Sequence, residues 1–185
     1  MKTLTGFIIV TVPLNIRLAT RADEPMIQHV IRTVFVEYGW PWYPTDYHRD
    51  IYDIDAGYFD KGGSFWVGEL DGNVVGTTGL EVFPAFPGET GMVEVSGTRR
   101  GAGCDCSLER LYLLEEARGR GIGKQLFNFT VERARSSGRK QMEIWSDKKL
   151  TKAHVLYERA GATRIGERLC HDPEQSPEWG MVLTL

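Results

Sequence analysis

Seven consecutive residues, Arg118-Gly119-Arg120-Gly121-Ile122-Gly123-Lys124, carry the densest chemistry in the chain. An apolar strand pattern precedes them and a helical pattern follows. A helix start offers unpaired backbone N–H groups and the positive end of the helix dipole. Glycine lets the backbone adopt positive φ and approach a ligand closely. Arg118, Arg120 and Lys124 add positive charge. The physical product is a cradle for a pyrophosphate.

Three kinds of phosphate loop compete for this stretch. A Walker loop needs Gly six positions before its Lys and Ser or Thr after it; here those positions hold Arg118 and Gln125. A dinucleotide fingerprint begun at Gly119-x-Gly121 needs glycine at 124, which is Lys. The surviving pattern is R-x-x-G-x-G on Arg118, Gly121 and Gly123. On these residues the sequence resembles the GNAT superfamily of N-acetyltransferases. The run LERLYLLEEARGRGIGKQLFNFTVERARSSG is similar to that family's cofactor-binding strand, loop and helix, and AHVLYERAGATRIG to the helix and strand that follow. The clear resemblance covers about residues 107 to 168. The N-terminal strand and helix and the hairpin at 64–82 fit it less specifically.

The resemblance implies an acetyl-CoA-dependent N-acetyltransferase, with acetyl-CoA as acyl donor and an amine, on a small molecule or a peptide, as acceptor. It implies an α+β, three-layer α/β/α fold with a mixed, mostly antiparallel central sheet, in one domain over 1–185. Backbone N–H groups from Arg118 through Lys124 (Gly119, Arg120, Gly121, Ile122 and Gly123 between them) would hold the pyrophosphate. The backbone of Leu111, Tyr112 and Leu113 would pair with the pantetheine arm, and one N–H there would polarise the thioester carbonyl as an oxyanion-hole donor does. Tyr157 stands four residues before Gly161, where the family places its tyrosine, and is the candidate acid for the leaving thiolate. The bland reading of Tyr157 is an apolar ring with its hydroxyl at the surface.

A free alkyl amine has a pKa of roughly 10.4, so a base must take its proton near neutrality. Relatives often carry a Glu near the start of the cofactor strand. The positions three and four residues before Arg110 are Ser107 and Cys106, and neither is acidic. Glu109 is the candidate base, alternating to the same face as Ser107 and Leu111. A solvent-facing carboxylate paired with an arginine is the competing reading.

The elements that must position these groups are legible in outline. Strands are expected at Asn15–Ala19, Ser64–Leu70, Asn73–Val82, Ser107–Leu114, Gln141–Ser146, Arg164–Leu169 and Gly180–Leu185. Asp71-Gly72 is a two-residue hairpin signal. Gly91–Val95 would extend the sheet, and Thr98–Gly103 reads as a basic turn. Asp23 reads as the N-cap of a helix carrying Ile27, Val30, Ile31, Val34 and Tyr38, and Gly39 ends it. Helices follow near Ile122, ending at Gly138, and at Lys152–Ala160. Gly39–Asp60, dense in aromatics and aspartates, reads as loop plus a second helix. It would contact the acceptor, a cationic amine suiting its Trp, Tyr and Asp content, although packing in the core accounts for most of these rings.

Composition bounds the rest. The chain has 185 residues, 42% hydrophobic and 25% charged, with a formal charge of −3, an ordinary globular balance. It predicts no field for nucleic acid or an anionic membrane. Gly6–Leu14 is apolar but too short for a span and reads as an extra N-terminal strand or a ragged start. Three cysteines, Cys104, Cys106 and Cys170, argue for free thiols in a reducing, cytoplasmic compartment, with no metal site. His171, Asp172 and Trp179 flank a loop that closes over the acceptor or lies at the surface. A homodimer is compatible with the family resembled. The rival of a different class is a catalytically inactive acyl-CoA binding or sensing module of the same fold.

Overall fold

The computed structural model describes residues 14–185. Most of the apolar Gly6–Leu14 segment lies outside them. The elements run β1 (Asn15–Leu18), α1 (Glu24–Glu37), α2 (Ile54–Gly57), β2 (Ser64–Leu70), β3 (Asn73–Val82), β4 (Met92–Val95) and β5 (Thr98–Gly101). Then come β6 (Cys106–Leu113), α3 (Ile122–Ser136), β7 (Gln141–Asp147), α4 (Thr151–Arg159), β8 (Thr163–Leu169) and β9 (Pro177–Thr184). Seven strands form one sheet in the order β1-β2-β3-β6-β7-β9-β8. Among the described residues only β6 and β7 pair in parallel. A parallel neighbour needs a crossover, and α3 supplies it.

The hairpin between β2 and β3 turns on Asp71 and Gly72, both at positive φ (51° and 78°), as a two-residue type I′ turn requires. Helix α1 buries Ile27, Val30, Ile31, Val34 and Phe35, each fully buried apolar side chain stabilising by about 1.5–3 kcal/mol. With Phe65, Val67 and Val74 it forms the core on one face of the sheet. On the other face Phe127 and Val131 of α3 and Tyr157 of α4 pack on Leu108, Met142, Ile144 and Met181. The result is three layers.

Two expectations are corrected. Asp23 does not cap α1 through its side chain. Its carboxylate instead accepts the Thr20 N–H at 2.8 Å and pairs with Arg17 at 2.7 Å, closing a short 3-10 turn ahead of the helix. The segments read as a sheet extension and a turn pair with each other as β4 and β5, a separate two-stranded sheet. Gly101 of that hairpin comes close to Val182 and Glu143, so the hairpin covers the half of the sheet that α1 does not reach. Gly39–Asp60 is loop plus a second helix, as expected, with 3-10 turns at Arg49–Ile51 and Phe59–Lys61 flanking the four-residue α2. Local aspartates favour such turns over a long helix.

The feature that shapes the site lies in β6. Its pairing with β3 shifts register between Thr77 and Gly79, opposite Arg110, whose φ is +49°. The Thr77 hydroxyl donates to the Arg110 carbonyl at 2.7 Å. This β-bulge turns the strand. The Arg110 guanidinium, nearly buried, is gripped by Asp50 at 2.9 and 2.8 Å, and donates to the Tyr47 carbonyl. The Tyr58 hydroxyl also donates to Asp50, at 2.7 Å. Burial works against ionisation of Asp50, but the Arg110 charge and the two donors outweigh it and hold the carboxyl below its usual range.

Breaking such a pair leaves a buried charge unanswered, at a cost of about 3–5 kcal/mol. Asp50→Ala should lower the unfolding free energy by that amount in a urea titration. A loss under about 1 kcal/mol would show that the bulge does not depend on this pair.

Candidate active site

β6 and β7 pair only at Cys106↔Met142 and Ser107↔Glu143, then diverge. From Leu108 to Leu113 the edge of β6 that faces β7 has no strand partner among the described residues. A cleft of about 810 Å³ opens in this gap, and Leu108 to Tyr112, Ile144 to Asp147 and Tyr157 all line it.

At the far end of β6, the chain makes a 3-10 turn at Glu115–Ala117 and enters α3 with Gly121 at the N-cap. Gly119 and Gly121 both have positive φ, 74° and 77°, a conformation that costs other residues energy. Gly121 brings no capping side chain, so the first N–H groups of α3 face outward unpaired. Charge is distributed differently from the sequence expectation. The Arg118 guanidinium is bound to Glu37, with two contacts of 2.6 Å, and to the Leu113 carbonyl at 3.0 Å. Its backbone N–H donates to Glu115 at 3.0 Å. Arg118 therefore ties the loop to α1 and β6, and the open cradle starts at Gly119. Arg120 and Lys124 remain exposed beside it. This geometry fits a diphosphate, with donors converging where a glycine backbone leaves room.

The bulge also changes which way side chains face. Ser107 and Glu109 share a face, and the Ser107 hydroxyl donates to Glu109 at 2.6 Å. Leu111 does not join them: it packs with Phe127 and Leu126 on the α3 side. The extra residue at Arg110 resets the alternation. Tyr112 points the other way, its ring 5.8 Å from Phe35 of α1. Burial pushes the Glu109 carboxyl up to about 7, and the nearby Glu81 charge adds to it. The Ser107 bond and the Arg110 and Arg168 charges pull it back. Register makes Glu81 a neighbour, since Glu81 pairs with Ser107 and Gly79 with Glu109. A Cβ on Gly79 would meet the Tyr58 ring at 2.9 Å and the Glu109 Cβ at 3.3 Å, so glycine there leaves room for the Tyr58 ring over this part of the sheet.

Tyr157 lies on α4, its ring 5.3 Å from Phe127. It lines the cleft near Tyr112, and burial raises its phenol above the ordinary range. The hydroxyl thus stays protonated and able to donate. Glu109 and Tyr157 belong to one cleft, approached from opposite faces of the sheet.

The aromatic segment is largely core. Trp42 stacks on His48 at 3.8 Å, and Phe35 lies edge-on to Trp40 and Trp42 at 5.2 and 5.6 Å. Burial depresses the His48 imidazole to about 4. Trp40, Tyr47 and Tyr58 also line the cleft, with Asp46, Asp50 and Asp53. The loop between β8 and β9 brings His171 and Asp172 to the same rim, and Tyr43 donates to Glu174 across it. Trp179 is not in that loop but in β9, under Lys148 and Arg164. Cys104, Cys106 and Cys170 are buried free thiols. Among the described residues no group of three metal-binding side chains forms, and no helix is long and apolar enough to cross a membrane.

Glu81, Arg100 and Arg168 line the cleft without any motif to announce them. Arg100 pairs with Glu143 at 2.6 Å and Arg168 with Glu178 at 2.8 Å. Strand pairing within the main sheet brings in Glu81 and Arg168, and packing of the β4–β5 hairpin against β7 and β9 brings in Arg100; neither relation is written in a single segment.

The family model for the acetyltransferase (GNAT) family matches residues 27–162. The uncharacterized N-acetyltransferase YjgM of Escherichia coli is 31% identical over 154 residues, covering 80% of this chain and 81% of that protein. An acetyltransferase of the GNAT family from Staphylococcus aureus Mu50 superposes with a TM-score of 0.74 at 18% identity, over 94% of this chain and 99% of that one. The acetyltransferase yncA of Salmonella typhimurium, solved with acetyl-CoA, gives 0.66 at 19% identity, over 93% and 94%. With the split between β6 and β7 and the glycine-built start of α3, these matches show that the chain belongs to the GNAT family of acetyltransferases.

Proposed function

We propose that the protein transfers the acetyl group of acetyl-CoA to a primary amine, by direct attack of the amine on the thioester. The observation that carries this reading is the unpaired edge of β6, with the cradle of α3 at one end and Glu109 at the other. The donor supplies an activated acetyl thioester. Gly119 to Lys124 hold its diphosphate with backbone N–H groups. The free edge of Leu111 to Leu113 takes the pantetheine arm as a further strand. Glu109 accepts a proton from the incoming ammonium, and Tyr157 donates its O–H toward the leaving sulfur. Asp46, Asp172, Glu81 and Glu109 around the cleft favour an acceptor that arrives positively charged. The few unpaired thiols suit a cytoplasmic setting.

The first test is titration of acetyl-CoA with thiol release measured against a panel of amines. Binding with release supports the transferase. Binding with no release from any amine supports a sensing module instead. Gly121→Val, which forces a β-branched residue to positive φ, should weaken acetyl-CoA binding about tenfold or more; unchanged affinity would remove the cradle from its role.

Glu109→Gln should lower kcat/KM about 10²–10³-fold. It should also remove the limb of the pH–rate profile that rises through about pH 7. Retention of that limb in the variant would rule Glu109 out as the base. Stability reports the same group independently. The unfolded chain releases this proton near 4.5, the folded chain near 7. Glu109 therefore costs nothing below about pH 4.5, costs progressively more up to about 7, and the full amount above. Glu109→Gln should melt higher than the parent at pH 8 and with it at pH 4; equal melting at both would mean the carboxyl is not displaced.

Tyr157→Phe should lower kcat about 10²-fold and leave acetyl-CoA affinity within about twofold. Unchanged turnover would return Tyr157 to a packing role.

A further inference from the structure

We infer that the acceptor is a free amino acid, its carboxylate held by Arg100 and Arg168 while its amine meets Glu109. The inference rests on the transferase reading above and names the substrate class of that site. Both arginines line the cleft. Arg100 commits Nε and Nη2 to Glu143, at 2.7 and 2.6 Å from one oxygen. Arg168 commits Nε to Glu178 at 2.8 Å and Nη1 to the Arg99 carbonyl at 3.3 Å. Nη1 of Arg100 and Nη2 of Arg168 take no acceptor among the described residues.

Each guanidinium is also fixed in plane. Arg100 lies 4.9 and 4.6 Å from the rings of Phe83 and Phe86. Arg168 lies 4.1 Å from the ring of Trp145. Their rotamer entropy is already spent, which favours binding by the remaining donors. The two are joined through β5, because Arg168 holds the carbonyl of the residue before Arg100, and Arg99 in turn donates to the Glu167 carbonyl at 2.9 Å. The site therefore presents two rigid N–H donors from neighbouring strands, which suits the two oxygens of a carboxylate.

The amine end of the same cleft is acidic. Glu81 on β3 pairs with Ser107, two residues before Glu109 on β6, both carboxylates line the cleft, and the Arg168 charge acts on Glu109. A zwitterion answers both ends. Its ammonium faces Glu81 and Glu109, and its carboxylate faces the arginines. A polyamine or a peptide N-terminus leaves the two Nη donors unanswered, and unanswered donors in a closed site are where specificity arises.

The experiment measures kcat/KM by thiol release on the full chain at saturating acetyl-CoA. The acceptors are the proteinogenic amino acids, their α-amides, a tripeptide and a polyamine. At least one amino acid should be preferred over its own amide about 10²-fold or more. The double variant Arg168→Met with Glu178→Gln removes both charges, so no buried carboxylate is left alone. It should bring that ratio to about 1, with acetyl-CoA affinity within about twofold. Arg100→Lys keeps the charge on Glu143 and loses the fork, and should lower the ratio about tenfold. Amides accepted as well as acids, better use of the tripeptide or polyamine, or a ratio that survives in both variants would each overturn the inference. Tight acetyl-CoA binding without transfer to any amino acid overturns it too. Absence of acetyl-CoA binding would instead remove the transferase reading beneath it.

Discussion

The bulge at Arg110 is the constraint on which the active-site half of the molecule depends. A sheet held together by regular ladders would carry β6 alongside β7 to its end and leave no gap. Here the ladder between them stops after Ser107, and the strand bends at a residue held at positive φ. That geometry is costly for an arginine. It is sustained because the side chain is fixed by Asp50 and by the Tyr47 carbonyl, and the main chain by Thr77. One residue thus opens the cleft and also anchors the irregular 39–60 segment that walls it.

Electrostatics inside the cleft follow from what each charge has for a partner. Arg100, Arg110 and Arg168 each face a largely buried carboxylate, so the fold neutralises them without leaving an isolated charge. Glu109 is treated differently. Its neighbours include another carboxylate, and Ser107 gives it one hydrogen bond. Burial outweighs the Ser107 bond and the Arg110 and Arg168 charges and raises its proton affinity toward neutrality. Stability is given up at this position in exchange for a group poised to titrate.

The start of α3 is held by structure of another kind. Arg118, which looks from its sequence context like a phosphate ligand, spends its side chain on Glu37 and the Leu113 carbonyl. The loop is therefore fastened to α1 and β6 on one side while its glycines keep the other side open. A cradle built from backbone N–H groups needs such fastening, because glycine supplies freedom but no rigidity of its own.

The sequence by itself determined whatever local chemistry specifies. The β2–β3 hairpin follows from Asp71-Gly72, α1 from its apolar spacing, and the α3 start from Gly119, Gly121 and Gly123. Tyr157 followed from the family resemblance, and Glu109 from its place on the β6 strand, since the positions where relatives carry a Glu hold Ser107 and Cys106. Only the tertiary structure decided the rest. Leu111 faces away from Glu109 because a bulge resets the strand period, and no residue type announces a bulge. The basic turn at 98–103 became β5 because β4 stood ready to pair with it. Glu81 and Arg168 entered the site through strand pairing, and Arg100 through the docking of the β4–β5 hairpin, relations between segments far apart in the chain, while the sequence of each segment states only its own preferences.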